Sequence, residues 1–204
     1  MITLIDYGGS NLRSVQKAFE TIGSQVQVAT QAEEIGRACK LVLPGVGAFG
    51  AGIDALRSRG LDDPIRERAA QGVPLLGICL GMQFLFEGSE EMGRHAGLSL
   101  IPGQVVRFPA AGPKIPHMGW NQLMHDGSHP LLEGVPTGAY TYFVHSYYCQ
   151  PSDEGTTIAQ ADYGGPFAAI VGQDNVYGIQ FHPEKSQRVG LTILRNFVGL
   201  EQSA

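Results

Sequence analysis

Apolar positions in the first eighty residues follow two rhythms. Residues 2–5 form a short apolar-rich run of strand length, and Leu12, Val15, Ala18, Phe19 and Ile22 then recur at the intervals of one helical face. Ser10 and Asn11 both stand where a helix N-cap is expected. A second strand is predicted over residues 25–29 with a short helix behind it. A third, over 41–43, runs into Pro44-Gly45-Val46-Gly47. Helical patterns follow near 53–59 and from Pro64 onward, and a strand over 73–78 leads to Cys79. Strands alternating with helices predict a parallel sheet covered on both faces, with chemistry gathered at the carboxyl ends of the strands. The Gly-Val-Gly loop and Cys79 both fall at such ends.

After about residue 100 the rhythm becomes strand-rich, with predicted strands at 104–108, 122–124, 140–149, 156–161, 167–172 and 176–181. The last two flank Gln173-Asp174-Asn175, a polar connection suited to a hairpin. Leu191, Leu194, Phe197 and Val198 then mark a final amphipathic helix that packs back on the sheet. No internal repeat or low-complexity segment interrupts the 204 residues, so one domain over 1–204 is expected.

Composition removes several function classes. The formal charge is −5 with no run of Lys or Arg, against a nucleic-acid or anionic-membrane partner. The chain enters its first strand without a basic leader, and no apolar run approaches the roughly 20 residues of a membrane helix. Three widely spaced cysteines, Cys39, Cys79 and Cys149, fit neither a disulfide framework nor a Cys-x-x-Cys metal site, and suggest a reducing cytoplasm. Neither a metal-ligand cluster nor a dinucleotide fingerprint is present, so no cofactor is expected.

Candidate chemistry centres on Gly77-Ile78-Cys79-Leu80-Gly81, where a strand-like stretch gives way to a helix-like one. This is the pattern of a nucleophile elbow, in which small residues two positions before and after the nucleophile let neighbouring chain pass close by. A helix starting at Leu80 would aim its unpaired N–H groups at Sγ, favouring a thiolate, and the Leu80 N–H would help hold an oxyanion. Cys39 and Cys149 lack such a context and are expected to be core. A thiolate nucleophile needs a base, and the base needs an orienting partner. His182 and Glu184 follow the last strand two residues apart, which puts both side chains on one face of extended chain, while Pro183 ends regular pairing at the sheet's rim. Glycines at 45 and 47 free the Val46–Gly47 peptide to turn either its N–H or its C=O toward the site, which makes a switchable oxyanion hole conceivable. Three further segments are richer in polar and aromatic residues than a core requires: 117–121, 140–148 and Lys185-Ser186.

Taken together, Gly77-Ile78-Cys79-Leu80-Gly81-Met82-Gln83 and Phe181-His182-Pro183-Glu184-Lys185-Ser186 closely resemble the class I glutamine amidotransferases, whose glutaminase domains hydrolyse glutamine with a Cys–His–Glu triad. Asp6-Tyr7-Gly8-Gly9-Ser10-Asn11-Leu12, the Pro-Gly-Val-Gly-Ala-Phe loop, Pro116-His117-Met118-Gly119-Trp120-Asn121 and Phe143-Val144-His145-Ser146-Tyr147-Tyr148 resemble one branch of that class, the glutaminase subunits of imidazole glycerol phosphate synthases. The resemblance runs through essentially the whole chain in order. It implies a flavodoxin-like α/β fold, a mainly parallel central sheet flanked by helices with a strand-rich C-terminal half. Cys79 is then the nucleophile, His182 the general base and acid, and Glu184 its orienting carboxylate. Gln83, Ser146 and Tyr147 correspond to glutamine-binding positions, the last two through backbone groups, and Val46, Gly47 and Leu80 to the oxyanion hole. The generic class has Pro-Gly-Gly where this chain has Pro44-Gly45-Val46-Gly47, but the branch's own pattern includes the valine.

Ammonia released in water is protonated and loses its nucleophilicity, so a second catalytic centre is implied. The resemblance supplies it as a separate cyclase subunit, a (β/α)8 barrel, which forms a heterodimer and makes imidazole glycerol phosphate and an aminoimidazole carboxamide ribotide in histidine biosynthesis. Asn11, Trp120, Tyr142 and Lys185 are the candidate contacts with it. Alternatives are a class I glutaminase serving another synthase, for anthranilate, guanylate or pyridoxal phosphate, a flavodoxin-like cysteine hydrolase, and a scaffold with an inactive site.

Overall fold

Alternate residues of the central strands belong to two separate cores. In a computed structural model describing residues 1–9 and 11–201, Leu41, Leu43 and Leu75 pack into one apolar cluster, and Val42, Leu76 and Ile78 into another. Side chains on a strand point alternately to its two faces, so this sheet is buried on both.

The strands of the first half are β1 (Ile2–Ile5), β2 (Val26–Ala29), β3 (Leu41–Gly45) and β4 (Leu75–Cys79), all paired in parallel. The intervening helices are α1 (Leu12–Thr21), α2 (Ala32–Gly36), α3 (Phe49–Ser58) and α4 (Asp62–Ala70), and α5 (Leu80–Phe84) follows β4 directly. Next come β5 (Phe86–Ser89), β6 (His95–Ala96), β7 (Ile101–Arg107), β8 (His117–Leu123), β9 (Ala139–His145) and β10 (Tyr147–Pro151). The chain ends with β11 (Thr157–Asp162), β12 (Pro166–Gln173), β13 (Val176–Ile179) and α6 (Gln187–Gly199). The central sheet runs in the order β11-β12-β13-β4-β3-β1-β2, with β13 parallel to β4 and the antiparallel β11 and β12 completing one edge. Val15 and Phe19 of α1 join Ile193, Leu194 and Phe197 of α6 in one core. Ile35, Ile53, Leu56 and Ile65 of α2, α3 and α4 lie in the other. A four-stranded sheet, β10-β7-β5-β6, and the antiparallel pair β8-β9 complete the strand-rich half. No helix among the described residues is long and apolar enough to cross a membrane.

Several expectations change in detail. The strand predicted over 140–149 is two strands broken at Ser146, because β9 pairs with β8 whereas β10 leaves to pair with β7. The strand predicted over 176–181 ends at Ile179, and the hairpin before it turns at Asp174, whose φ is +52°. Ser10 lies outside the described residues. Asn11 occupies the N-cap position of α1 but makes no side-chain cap bond, since its Oδ1 accepts from the Ser14 hydroxyl at 3.0 Å. Cys39 is exposed, not core, because it sits in the turn between α2 and β3, whereas Cys149 is buried as expected.

Candidate active site

Strand β4 passes into α5 with no loop, and Cys79 takes the turn at φ +56° and ψ −111°. A residue outside the usual regions stores about 1–3 kcal/mol of strain and persists only where its surroundings leave no alternative. Here backbone packs on backbone: a Cβ on Gly81 would lie 1.7 Å from the Leu43 carbonyl oxygen, and one on Gly77 would lie 2.5 Å from the Gly81 carbonyl oxygen. Only glycine admits that approach, so β3, β4 and α5 together hold Cys79 at the tip of the elbow. As the first residue of α5, Leu80 has an N–H with no partner inside the helix.

Cys79 and Leu80 line a cavity of about 310 Å³ with Val46, Gly47, Gln83, Ser146, Tyr147 and His182. The structure thus brings together residues predicted from four separate places in the chain. Gln83 is buried, and its Nε2 donates to the Tyr147 carbonyl at 3.1 Å and the Gln180 Oε1 at 3.2 Å. Gln180 in turn reaches Cys79 Sγ at 4.0 Å through Nε2. The Ser146 carbonyl accepts from the Phe108 N–H. Both carbonyls of the Ser146-Tyr147 segment are therefore engaged within the protein. Four cavity residues lie outside the predicted site set, Glu91, Pro116, Val144 and His145, and two of them, Glu91 and His145, bring titratable side chains. Glu91 comes from the turn after β5, in a polar stretch with no local signal. Its carboxylate accepts from the Phe49 N–H at 2.7 Å, at the start of α3.

His182 and Glu184 stand beyond the strand rather than on it, in a turn of 3-10 helix over Pro183–Lys185. That turn is stitched to β9: the His182 N–H donates to the Tyr142 carbonyl at 2.9 Å, and the Ser186 hydroxyl accepts from the Tyr142 N–H and donates to the His182 carbonyl. Within it, His182 Nδ1 meets Glu184 Oε1 at 2.8 Å, with the two side chains 4% and 1% exposed. Desolvation of the ring lowers the His182 pKa, but hydrogen bonding and charge from Cys79 and Glu184 outweigh it and raise the pKa to about 9.

Two histidines line the cavity, and only one has a free nitrogen. His145 Nδ1 contacts the Tyr147 carbonyl at 2.8 Å and its Nε2 contacts His117 Nδ1 at 3.0 Å. Burial drives its pKa down to about 3, with the His117 and His182 charges acting in the same sense and the Tyr147 carbonyl opposing. His182 Nε2 is buried and has no hydrogen-bond partner among the described residues, although the Cys79 sulfur is near enough to raise its proton affinity. That nitrogen is left to move a proton.

The Val46 N–H donates to the Gly9 carbonyl at 3.4 Å, so the Gly47 N–H is the donor this loop has left for an oxyanion. Gly47 sits at φ +99° with nothing near the position of a Cβ, and the peptide has room to turn. The four predicted partner contacts lie around the same end of the molecule. Trp120 is 47% exposed and meets the Tyr142 ring edge-on at 5.9 Å, and Lys185 Nζ stands 5.8 Å from the centroid of that ring. Asn11 shares a small cleft with Val46, His182 and Glu184.

Comparison with known proteins places the whole chain in a family. The family model for "Glutamine amidotransferase class-I" matches residues 3–199. The chain is 52% identical over 203 residues to "Imidazole glycerol phosphate synthase subunit HisH" of Syntrophotalea carbinolica, covering 97% of this chain and 98% of that protein. It is 51% identical over 205 residues to the protein of the same name from Geobacillus thermodenitrificans, covering 98% and 96%. Among solved structures, a glutamine amidotransferase superposes with a TM-score of 0.77 at 19% identity over 98% of both chains. PurLQS from Thermotoga maritima gives 0.77 at 21% over 97% of both. These distant neighbours share the fold alone. The matched family span and the end-to-end likeness to the HisH proteins place the chain in one group: it belongs to the class-I glutamine amidotransferases, in the branch formed by the imidazole glycerol phosphate synthase HisH subunits.

Proposed function

We propose that the chain hydrolyses L-glutamine to glutamate and ammonia with Cys79, His182 and Glu184, and delivers the ammonia to a separate cyclase subunit of imidazole glycerol phosphate synthase. The observation that carries this reading is the strained Cys79 sharing a cavity with His182, whose other nitrogen is fixed by a buried carboxylate. Cys79 Sγ attacks the side-chain carboxamide carbon, and the Leu80 and Gly47 N–H groups take the oxyanion. His182 passes its Nε2 proton to the amide nitrogen, the C–N bond breaks and ammonia leaves. His182 then removes a proton from water, the resulting hydroxide attacks the glutamyl thioester, and the C–S bond breaks to free glutamate and the thiolate. Glu184 keeps the proton-bearing Nδ1 turned away from the reaction throughout. Gln83 and Ser146-Tyr147 frame the substrate, and the Glu91 carboxylate suits its ammonium group.

The acceptor is a cyclase with a (β/α)8 barrel, docked on the face that carries Asn11, Trp120, Tyr142 and Lys185. The two form a heterodimer in the cytoplasm, within histidine biosynthesis. Residues 1–204 act as one amidotransferase domain. Docking turns the Val46–Gly47 peptide and so couples hydrolysis to the presence of an acceptor. The test is glutamate release by the purified chain, alone and then with the cyclase and its ribotide ligand. Strong stimulation is expected; equal turnover in both would refute the coupling, and none in either would refute the function.

A further inference from the structure

His117 and His145 face each other across β8 and β9 as a direct register pair, almost wholly buried at 2% and 6% exposure. His117 stacks on Phe143 at 4.9 Å and on Tyr163 at 4.0 Å, so its plane is fixed. The hydrogen bonds around the pair have only one consistent direction, and it can be worked out from either end. At the inner end a carbonyl cannot donate, so His145 Nδ1 carries the proton that meets the Tyr147 oxygen. At the outer end, Asn121 Nδ2 donates to the Asp162 carbonyl at 2.8 Å while its Oδ1 accepts from the Gln122 N–H, which fixes the amide. The same Nδ2 reaches His117 Nε2 at 3.2 Å, so that nitrogen is bare and His117 Nδ1 carries the proton. That proton meets His145 Nε2, which must be bare too. Both ends demand two neutral rings, each protonated at Nδ1.

The Tyr147 carbonyl where this chain ends also accepts from Gln83 Nε2, the side chain whose other donor bond goes to Gln180, next to Cys79. We propose that His117 and His145 are positioning residues for glutamine, a one-way neutral dyad that fixes the Tyr147 carbonyl and through it the Gln83 side chain in the substrate cavity. The proposal rests on the glutaminase reading above. Burial supports the neutral state, lowering the His117 pKa to about 4 and that of His145 to about 3. A neutral dyad orders the Tyr147 carbonyl without placing a second cation in the cavity.

Two measurements decide it. The first is ring-nitrogen NMR of the full chain labelled with 15N-histidine. His117 and His145 are expected as neutral rings with the proton on Nδ1, from pH 7 down to pH 5. Either ring protonated on Nε2 at pH 7, or doubly protonated there, would overturn the dyad whether or not the chain is a glutaminase. The second is glutaminase kinetics of the complex with the cyclase. His117→Phe keeps the stack and removes the relay, so KM for glutamine is expected to rise about tenfold, with kcat within about threefold. His145→Phe should do the same. His145→Asn places an amide donor where Nδ1–H stood and should restore KM to within about threefold. Unchanged KM in both phenylalanine variants, or an asparagine variant as impaired as the phenylalanine one, would overturn the positioning role. Should a variant not fold, the ring protonation of the unaltered chain still decides. An unaltered complex that releases no glutamate would instead sink the function itself.

Discussion

His182 Nδ1 and Glu184 Oε1 meet at 2.8 Å inside a turn, with both side chains nearly out of solvent. The contact holds the Nδ1 proton on the carboxylate side and leaves Nε2 to exchange a proton with the substrate. Glu184→Gln keeps the shape but permits the opposite tautomer. We expect kcat for glutamine hydrolysis to fall by about 10²–10⁴ with a much smaller change in KM. Steady-state kinetics on the complex with the cyclase checks this, and a loss below about threefold would remove Glu184 from the triad.

The elbow makes a prediction about stability rather than rate. Gly81→Ala would place a methyl group 1.7 Å from the Leu43 carbonyl oxygen, where β3 cannot yield without shifting its neighbours in the sheet. We expect a loss of about 3 kcal/mol or more, read as a lowered urea midpoint or loss of soluble protein. Gly36→Ala is the control, because nothing lies within 4 Å of a Cβ there and its φ is ordinary. It should stay within about 0.5 kcal/mol of the unaltered chain.

The buried histidines set opposite limbs of a stability profile. His182 has its pKa raised to about 9, so the stability it contributes is complete below the unfolded value near 6.5. It fades as pH rises through 9. His117 is lowered to about 4, so between 6.5 and 4 the unfolded chain binds the extra proton and stability falls as the pH drops. Urea midpoints of the unaltered chain should therefore decline on both sides of a maximum near pH 6.5. His182→Asn should flatten the alkaline limb, and His117→Phe should make the acid one shallower without abolishing it, because His145, lowered to about 3, acts in the same sense. A variant whose profile stays parallel to the unaltered one would show that its histidine does not titrate in this way.

Local patterns were legible in the chain and long-range ones were not. Gly77 and Gly81 around Cys79 announce the elbow because the pattern spans five residues, although the backbone that crowds Gly81 belongs to Leu43 of β3. His182 and Glu184 were found through two-residue spacing, although they lie in a 3-10 turn past Ile179 and owe their contact to that turn's stitching onto Tyr142. The split at Ser146 escaped notice because alternation continues through it. Only the competition between β8 and β7 for the two halves breaks the strand. Glu91 and His145 were missed as cavity residues for a similar reason. Nothing near Glu91 in sequence points at the Phe49 N–H, and the role of His145 depends on a partner 28 residues away.

The assignment of Cys79 is tested most directly by Cys79→Ala in complex with the cyclase, assayed for synthesis with glutamine and, separately, with ammonium salt as nitrogen donor. Synthesis from glutamine should vanish while synthesis from ammonia stays at the level of the unaltered complex. Glutamine-dependent synthesis that survives in the variant would contradict the nucleophile, and with it the chemistry built on this elbow.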